Sequence, residues 1–238
     1  MKRFGETLKK IPLWGWGAGI GCLVETSILY KLAEWMSMWF GTIERAFVPK
    51  IAAIDDAIPF AACAVTVYVL SFPFWVLGPA VASTGKKKDF LNYVIGLSLA
   101  YVIGCVIMIL WPSYSDRVAE GVMESIAQPG AFNWVMRIVT HFDGGNIGRC
   151  LFPSYHCLAS LYVCLSLRGR DDLPKWYHAA NWIFAFLVCV CVLLTKQHYV
   201  VDVPAGLALA FIAWLVTEKL DPGARILRAR GEKRKQNG

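Results

Sequence analysis

The chain has 238 residues, of which 57% are hydrophobic and 17% are charged, and its mean hydropathy is +0.49. Soluble domains carry about a quarter of charged residues, so this composition is typical of a membrane protein. The formal net charge of +7 does not indicate nucleic-acid binding, because the basic residues form short blocks between apolar runs and no basic stripe with interleaved aromatic residues occurs.

The N-terminal part of the chain predicts a first membrane span. Residues 1–10 are basic and precede an apolar run at 11–30. A signal peptide is the alternative, but the run is long, contains Glu25 and has no clear A-x-A cleavage site, so we predict an uncleaved span. Residues 33–57 are mixed and begin with a cluster of Trp, Met and Phe, which predicts a segment lying at the membrane interface.

Five further apolar runs predict five more spans, at 58–82, 90–111, 153–167, 177–194 and 200–216. Pro73 and Pro79 are tolerated in the second span, and a longer, more polar segment at 112–152 separates the third span from the fourth. We therefore predict an all-α bundle of six transmembrane helices. It forms one domain at 11–217, between a basic N-terminus at 1–10 and a basic tail at 218–238.

The positions of Lys and Arg indicate how these spans are oriented. Four lie in residues 1–10, three in the KKK block at 86–88, three in RGRDDLPK at 168–175 and seven in the tail, together 17 of the 24. Six spans put all four blocks on one side, which the positive-inside rule makes cytoplasmic. Both termini are then cytoplasmic, and the loops that follow the odd-numbered spans lie on the outer face.

The eight cysteines are interpreted as packing residues. Six of them lie inside apolar runs, where a free Cys behaves as a small hydrophobic side chain. Cys150 and Cys157 flank the string PSYH, and pairing or oxidation of these two is the alternative that the sequence leaves open. No C-x-x-C zinc spacing is present.

Two short strings, GRCLFPSYH at 148–156 and TKQHYVVD at 195–202, place His156 and His198 at the edges of apolar spans. Asp202 follows His198 by four residues, which is one turn of a helix on the same face. A carboxylate there binds one imidazole nitrogen and leaves the other as a nucleophile or base. A buried structural histidine is the ordinary alternative, but ionisable groups at this depth are costly without a function. The other two histidines, His141 and His178, are interpreted as structural.

Further polar residues are expected on the same outer face: Ser154, Arg117, Arg149 and Lys196. Cations and a helix N-terminus suit the non-bridging oxygens of a phosphoryl group. We therefore predict phosphoryl transfer, in which His198 attacks phosphorus, Asp202 fixes its tautomer, and His156 protonates the departing alkoxide and then activates the acceptor. The scheme requires no metal or other cofactor, because the cations neutralise the charge that Mg²⁺ would otherwise meet.

PSYH followed about forty residues later by H-x-x-x-D resembles the type 2 phosphatidic acid phosphatase superfamily, over roughly residues 51–217. Its members are integral-membrane enzymes that cleave or transfer lipid phosphates through a phosphohistidine. The resemblance implies that His198 is the nucleophile, Asp202 its partner, His156 the general acid and base, and Ser154 a phosphate ligand. The string IDDAIPF at 54–60, and an Asp and an Asn shortly before PSYH, resemble the branch that includes sphingomyelin synthase and inositol phosphorylceramide synthase.

The chain departs from the family pattern at two motifs. The first, Lys-x6-Arg-Pro, is reduced to PSYSDR ending at Arg117, with Leu110 in the place of the Lys. The third usually carries Ser-Arg seven and six residues before its His, where this chain has Cys191 and Val192. Lys196 follows Val192 by four residues, so a shared helix face predicts that Lys196 replaces the missing Arg.

Ordinary roles are the alternative for several of these polar residues. Arg117 can be a loop cation without a catalytic role. Arg149 has no counterpart in the family motif and is either a phosphate ligand or an anchor for a lipid headgroup. Asp55 and Asp56, at the outer start of the second span, cap that span or bind a headgroup.

The leading hypothesis is a membrane lipid phosphatase acting on a phosphomonoester or phosphodiester headgroup at the outer leaflet, with a lipid phosphate and the bilayer as its partners. The sequence does not distinguish hydrolysis from transfer to a lipid hydroxyl, and it leaves the lipid and the oligomeric state open. A non-catalytic six-span lipid-binding or transport protein is a different class, and transporters usually show repeated halves. A metal or haem site is disfavoured because only two histidines converge, and an intramembrane serine protease because no G-x-S-x-G string occurs.

Overall fold

The computed structural model describes residues 2–236 and the side chains of residues 4–231. Residue 1 and residues 237–238, at the ends of the two predicted basic segments, lie outside the described residues. Helices form 73% of the protein. In chain order the helices are α1 (Lys2–Lys9), α2 (Leu13–Trp39), α3 (Ala52–Asp55), α4 (Val65–Ala82), α5 (Lys87–Leu110), α6 (Val122–Ala127), α7 (Ala131–Phe142), α8 (Tyr155–Leu167), α9 (Lys175–Leu194), α10 (Asp202–Leu220) and α11 (Pro222–Gln236).

Four stretches within the described residues are long and apolar enough to cross a membrane: Ala62–Ala82, Lys87–Leu110, Lys175–Leu194 and Asp202–Gly231. They confirm the prediction of an all-α integral membrane protein. Two other helices lie between them in the bundle. Helix α8 is apolar but has 13 residues, and α2 has 27 residues of which three are charged. The count of six spans therefore stays a prediction.

Helix α2 is longer than the sequence predicts. It continues through Trp39, so the start of the segment at 33–57 is part of the first long helix and not a separate element. The position of that segment at the membrane interface stays a prediction. No Gly or Pro interrupts residues 22–40, and a salt bridge of 3.1 Å between Lys31 and Glu34 spans one turn. The helix ends where Gly41 adopts a positive φ of 68°, a conformation that glycine adopts without steric cost.

Two glycines fix α2 against α4. A Cβ at Gly19 would lie 2.2 Å from the carbonyl oxygen of Val76, and one at Gly15 would lie 2.2 Å from Oγ of Ser83. Small residues four apart let two helix backbones approach closely, which is how helices associate inside membranes. Helix α2 also packs against α5, so it is an integral part of the bundle.

The basic blocks of the sequence meet at one end of the bundle. Three contacts join the N-terminal segment, the two loops and the C-terminal segment there: Phe4 with Tyr177, Arg170 with Thr84, and Lys88 with Asp221. The segments that join the helices at the opposite end of the bundle are 40–64, 111–154 and 195–201. The second group of loops carries the candidate site.

A short two-stranded ribbon shapes the loop between α5 and α8. Strand β1 (Tyr114–Asp116) pairs antiparallel with β2 (Ile147–Arg149), with Ser115 opposite Gly148. The apolar pattern of the sequence does not predict these strands. The ribbon brings Arg117, the residue that follows β1, next to the residues that precede β2.

Candidate active site

The starts of two helices bring the histidine strings together. Ser154 is the N-cap of α8, and its backbone N–H donates to the carbonyl oxygen of Asp202, the first residue of α10, at 3.1 Å. Gly206 permits this approach, because a Cβ there would lie 2.3 Å from the carbonyl oxygen of Ser154. His156 and His198 lie within four residues of this junction along the chain, and their ring centroids are 5.6 Å apart.

His198 and Asp202 meet through a turn between α9 and α10. Nδ1 of His198 lies 3.2 Å from Oδ2 of Asp202, and this oxygen also accepts from the backbone N–H of Tyr199 at 2.9 Å. The two residues are in contact as their spacing predicts, but His198 precedes α10 and shares no helix with Asp202. Both side chains are buried, so the carboxylate holds the ring and leaves Nε2 available for chemistry.

His156 lies among aromatic rings at the start of α8. Its ring centroid is 4.4 Å from that of Tyr68 and 5.1 Å from that of Trp75, and the Trp75 indole N–H donates to Ser160 at 2.9 Å. Nε2 of His156 is buried and has no hydrogen-bond partner among the described residues. The rings therefore fix the orientation of an imidazole whose nitrogen is available to a substrate.

Arg117 is fully buried and joins three segments of the site. Its Nη1 donates to the carbonyl oxygens of Asp143 and Gly145 at 2.9 and 2.8 Å. Its Nη2 donates to the Asp143 carboxylate, and to Oε1 of Gln197 at 2.8 Å. Nε has no partner among the described residues. The guanidinium thus ties the loop before β2 to the residue that precedes His198.

Gln197, Asp143 and Tyr30 are site residues that the sequence did not identify as such. Gln197 is buried beside His198, and its Nε2 has no partner within the described chain. Tyr30 donates from its hydroxyl to Oδ1 of Asp143 at 2.9 Å and to the carbonyl oxygen of Arg149 at 2.6 Å. The position of Gln197 directly before His198 in the sequence is a signal that it belongs to the site. No local pattern links Tyr30 to Asp143, 113 positions away.

Three of the predicted phosphate ligands have other contacts. Ser154 is buried and its Oγ accepts from the backbone N–H of Cys157 at 3.4 Å. Arg149 forms a salt bridge of 3.2 Å with Glu34. Nζ of Lys196 donates to the carbonyl oxygen of Asp55 at 2.6 Å.

The helix-face premise for Lys196 is wrong. Helix α9 ends at Leu194, and Lys196 has a φ of 54°, so it does not share a helix face with Val192. Its phosphate-binding role stays a prediction.

A cavity of about 510 Å³ lies beside the two imidazoles. Its walls come from α2, α4, α7, the start of α8 and the loop before α10, and they are mostly aromatic and aliphatic. Polar lining groups include those next to the histidines: Asp143 and Gln197. Arg117, Ser154, Arg149 and Lys196 are not part of the lining. A cavity with a mostly apolar lining and a few polar groups suits an amphipathic ligand.

Asp55 holds the loop that carries His198. Its buried carboxylate accepts from the backbone N–H of Ile51 at 2.6 Å and from that of Val200 at 2.8 Å, while its carbonyl oxygen binds Lys196. The residue therefore caps the short helix α3 instead of the span α4, and it connects α3 to the loop of His198.

A second set of contacts supports the same connection. Lys50 lies 2.5 Å from Oδ1 of Asp56 and 2.7 Å from Oε1 of Glu120, and these hydrogen bonds raise the pKa of Lys50. Glu120 in turn accepts from the hydroxyl of Tyr199 at 3.1 Å. The segment at 50–56 therefore contacts the loop of His198 both directly and through Glu120.

Asp55→Asn is expected to lower kcat for phosphate release about tenfold, with KM changed less than twofold. An amide cannot accept both N–H groups, and a buried donor left unpaired costs about 1–3 kcal/mol, which loosens the turn that presents His198. Initial rates with a lipid phosphate measure the effect. Asp56→Asn is the matched control, because its side chain is 58% exposed, and it should retain wild-type kcat. Equal rates for both variants would show that Asp55 does not position His198.

All eight cysteines are free thiols, including Cys150 and Cys157, which are both buried. Burial raises the pKa of the Cys150 thiol to about 12, so this group stays protonated. Within the described part of the chain, no cluster of three or more His, Cys, Asp or Glu side chains has an arrangement that could hold a metal ion.

A family model described as the PAP2 superfamily matches residues 39–216. The match contains both histidine strings and confirms the superfamily resemblance, but it does not distinguish the branch. No curated protein matches the chain, and neither does any solved structure. The matched range begins at Trp39, the last residue of α2, so nearly all of α2 lies outside it.

Proposed function

Because the chain belongs to the PAP2 superfamily of phosphatases and phosphotransferases, we propose that it is a membrane lipid phosphatase. It hydrolyses a phosphomonoester or phosphodiester headgroup through a phosphohistidine at His198. One observation carries the proposal: His198, hydrogen-bonded to Asp202 and next to His156, lines a mostly apolar cavity.

The proposed reaction has two displacements at phosphorus. Nε2 of His198 forms a bond to phosphorus while the bond to the lipid alkoxide breaks, and His156 gives the alkoxide its proton. His156 then removes a proton from water, the resulting oxygen attacks phosphorus, and the bond to His198 breaks. Asp202 keeps the proton of His198 on Nδ1 and stabilises the positive charge of the ring. Metal independence is part of the proposal, and loss of activity in EDTA would contradict it.

The phosphate oxygens need donors in this mechanism. Gln197 lines the cavity, and its Nε2 is a buried donor without a partner among the described residues. Arg117 Nε is a second such donor, and Ser154 lies at the N-terminus of α8, where backbone N–H groups favour anions. The proposal requires the bound phosphate to extend beyond the cavity lining to reach these two residues. Lys196 and Arg149 also bind the phosphate in this proposal. Lys196 then gives up its contact with the carbonyl oxygen of Asp55, and Arg149 gives up its salt bridge with Glu34. Lys196→Ala with wild-type kcat/KM would remove Lys196 from the set.

We also propose six spans, made by α2, α4, α5, α8, α9 and α10, with the histidines on the outer face. The gathering of the basic blocks at the end away from His198 supports this orientation. Single cysteines at residues 84–86 and at residues 128–130, labelled with a membrane-impermeant reagent in intact cells, test it. Labelling at 84–86 but not at 128–130 would reverse the proposed sides.

Transfer to a lipid hydroxyl, as in sphingomyelin and inositol phosphorylceramide synthases, is the second candidate function. The apolar lining of the cavity favours it, because a lipid acceptor has an apolar surface to occupy beside the histidines. Purified protein incubated with phosphatidic acid and a phospholipid pool separates the two functions. We expect free phosphate as the main product, whereas exchanged headgroups without free phosphate would establish transfer.

A further inference from the structure

The cavity beside the histidines reaches the surface of the bundle between α2 and α7. Four of its lining residues are exposed, Ser27 and Lys31 on α2 and Ile138 and Phe142 on α7. The remaining lining residues are buried or half-buried. The side chain of Phe142 lies at the rim, since 75% of the residue is exposed. The mouth of the cavity is therefore the gap between these two helices.

The surfaces next to this mouth are apolar. On α7, Trp134, Ile138 and Phe142 are exposed and spaced four residues apart, so they form one stripe along the helix. On α2, Ile28 and Trp35 are exposed, by 59% and 56%. Apolar faces of this kind on a membrane protein contact lipid, and short helices with such a stripe lie in the membrane interface. The mouth thus opens towards the bilayer.

Lys31 supplies positive charge at the mouth. Within the described chain it is the one Lys or Arg on the cavity lining. Its ammonium pairs with Glu34 at 3.1 Å, but its side chain is 56% exposed, so the pair is weak and the ammonium is available to an anion. Asp143, the carboxylate on the lining, is already paired with Arg117.

Helix α2 is a fixed wall of this mouth. Gly19 packs it against the backbone of α4, and the hydroxyl of Tyr30 bonds it to Asp143 and to the carbonyl of Arg149. Only its last residue, Trp39, falls within the range that the family model matches. The charge and the shape of this side of the mouth thus come from a part of the chain outside the matched region.

Resting on the function proposed above, we propose that the gap between α2 and α7 is the lateral entry site for an anionic, phosphate-bearing lipid. Lys31 binds the phosphate as the lipid leaves the bilayer. The hydrocarbon chains lie along Ile138 and Phe142. The phosphate then passes towards the two histidines while the chains remain in the apolar part of the cavity.

The test measures lipid contact at the mouth without turnover. The protein for this test is full-length His198→Ala, in which Cys63→Ser and Cys189→Ser remove the two thiols that are not buried. A bimane fluorophore is attached to Ile138→Cys, and the protein is placed in phosphatidylcholine nanodiscs. The nanodiscs contain either phosphatidic acid or phosphatidylcholine with brominated chains, at equal mole fraction. We expect brominated phosphatidic acid to quench the bimane with about fivefold higher apparent affinity. Lys31→Gln should abolish this preference, and Lys31→Arg should retain it.

A bimane on Ile212→Cys is the matched control, because Ile212 is exposed on α10 and does not line the cavity. Both brominated lipids should quench it equally. Equal quenching at Ile138→Cys, or a preference that survives Lys31→Gln, overturns the entry site. The labelled protein lacks the nucleophile, so its result does not depend on the reaction. If wild-type protein releases no phosphate and yet the preference is present, the catalytic proposal fails and the entry site stands.

Discussion

Replacement of His198 by alanine is expected to lower kcat for lipid-phosphate cleavage by at least about 10⁴-fold, because the proposed covalent intermediate can no longer form. Asp202→Asn keeps the shape of the site but removes the charge that orients the ring, and it should lower kcat about 10³–10⁴-fold. Brief reaction with a lipid carrying radioactive phosphate, followed by alkaline gel analysis, should show a labelled wild-type chain and an unlabelled His198→Ala chain.

The matched control for this experiment is His141→Ala. His141 is exposed on α7 and does not line the cavity, so the variant should keep wild-type turnover and wild-type labelling. If His198→Ala retains all of the activity or phenotype of the protein, the phosphohistidine mechanism is rejected and a non-catalytic lipid-binding protein becomes the better explanation. Labelling that persists in His198→Ala would move the covalent step to another residue.

Arg117→Met is expected to destabilise the protein by about 3–5 kcal/mol and to abolish activity. The guanidinium is fully buried, and its removal leaves the Asp143 carboxylate, two carbonyl oxygens and Gln197 without their partner. A fall in apparent Tm on the order of 10 °C in detergent measures the effect. Arg117→Lys keeps the charge but loses the fork geometry, so we expect an intermediate result.

A double variant separates the structural role of Arg117 from binding of phosphate. Arg117→Met with Asp143→Asn removes both charges, so much of the lost stability should return while activity stays absent. Activity that returns with stability would show that Arg117 does not contact the substrate. Arg137→Met is the control, because Arg137 is exposed and donates to carbonyl oxygens near the end of α6. This substitution should lower the free energy of unfolding by less than about 1 kcal/mol.

The parts of the fold that the sequence predicts are those set by local patterns. Long apolar runs must form helices in a bilayer, so each predicted span falls on one helix, and the ends agree to within a few residues in most cases: α2, α4, α5, α8, α9 and α10. Helix α2 extends beyond its apolar run because no Gly or Pro occurs between residue 22 and Gly41. Hydropathy alone does not indicate where such a helix ends. The ribbon of β1 and β2 forms between segments more than thirty residues apart, which no local period encodes.

The candidate site divides in the same way. His198 and Asp202 are four residues apart, so their contact is local, but a turn before α10 makes it and not the shared helix face that the spacing predicts. Asp55 binds Val200 across 145 positions, and Tyr30 binds Asp143 across 113 positions. Such pairs exist only after the helices pack, so a single sequence contains no signal for them. The predicted role of Lys196 shows where reasoning from sequence fails. It assumed a helix face shared with Val192, but α9 ends at Leu194, two residues before Lys196.

Tyr30 and Lys31 give α2 an importance beyond anchoring the chain. In the proposed function, the reacting groups and the wall that meets the lipid are specified by separate stretches of sequence. Exchange of the first long helix alone would leave His156, His198 and Asp202 in place while giving the cavity a different side. Selectivity for one lipid over another can therefore change between relatives without any change in the reacting residues, and aligning the histidine strings alone would miss the difference.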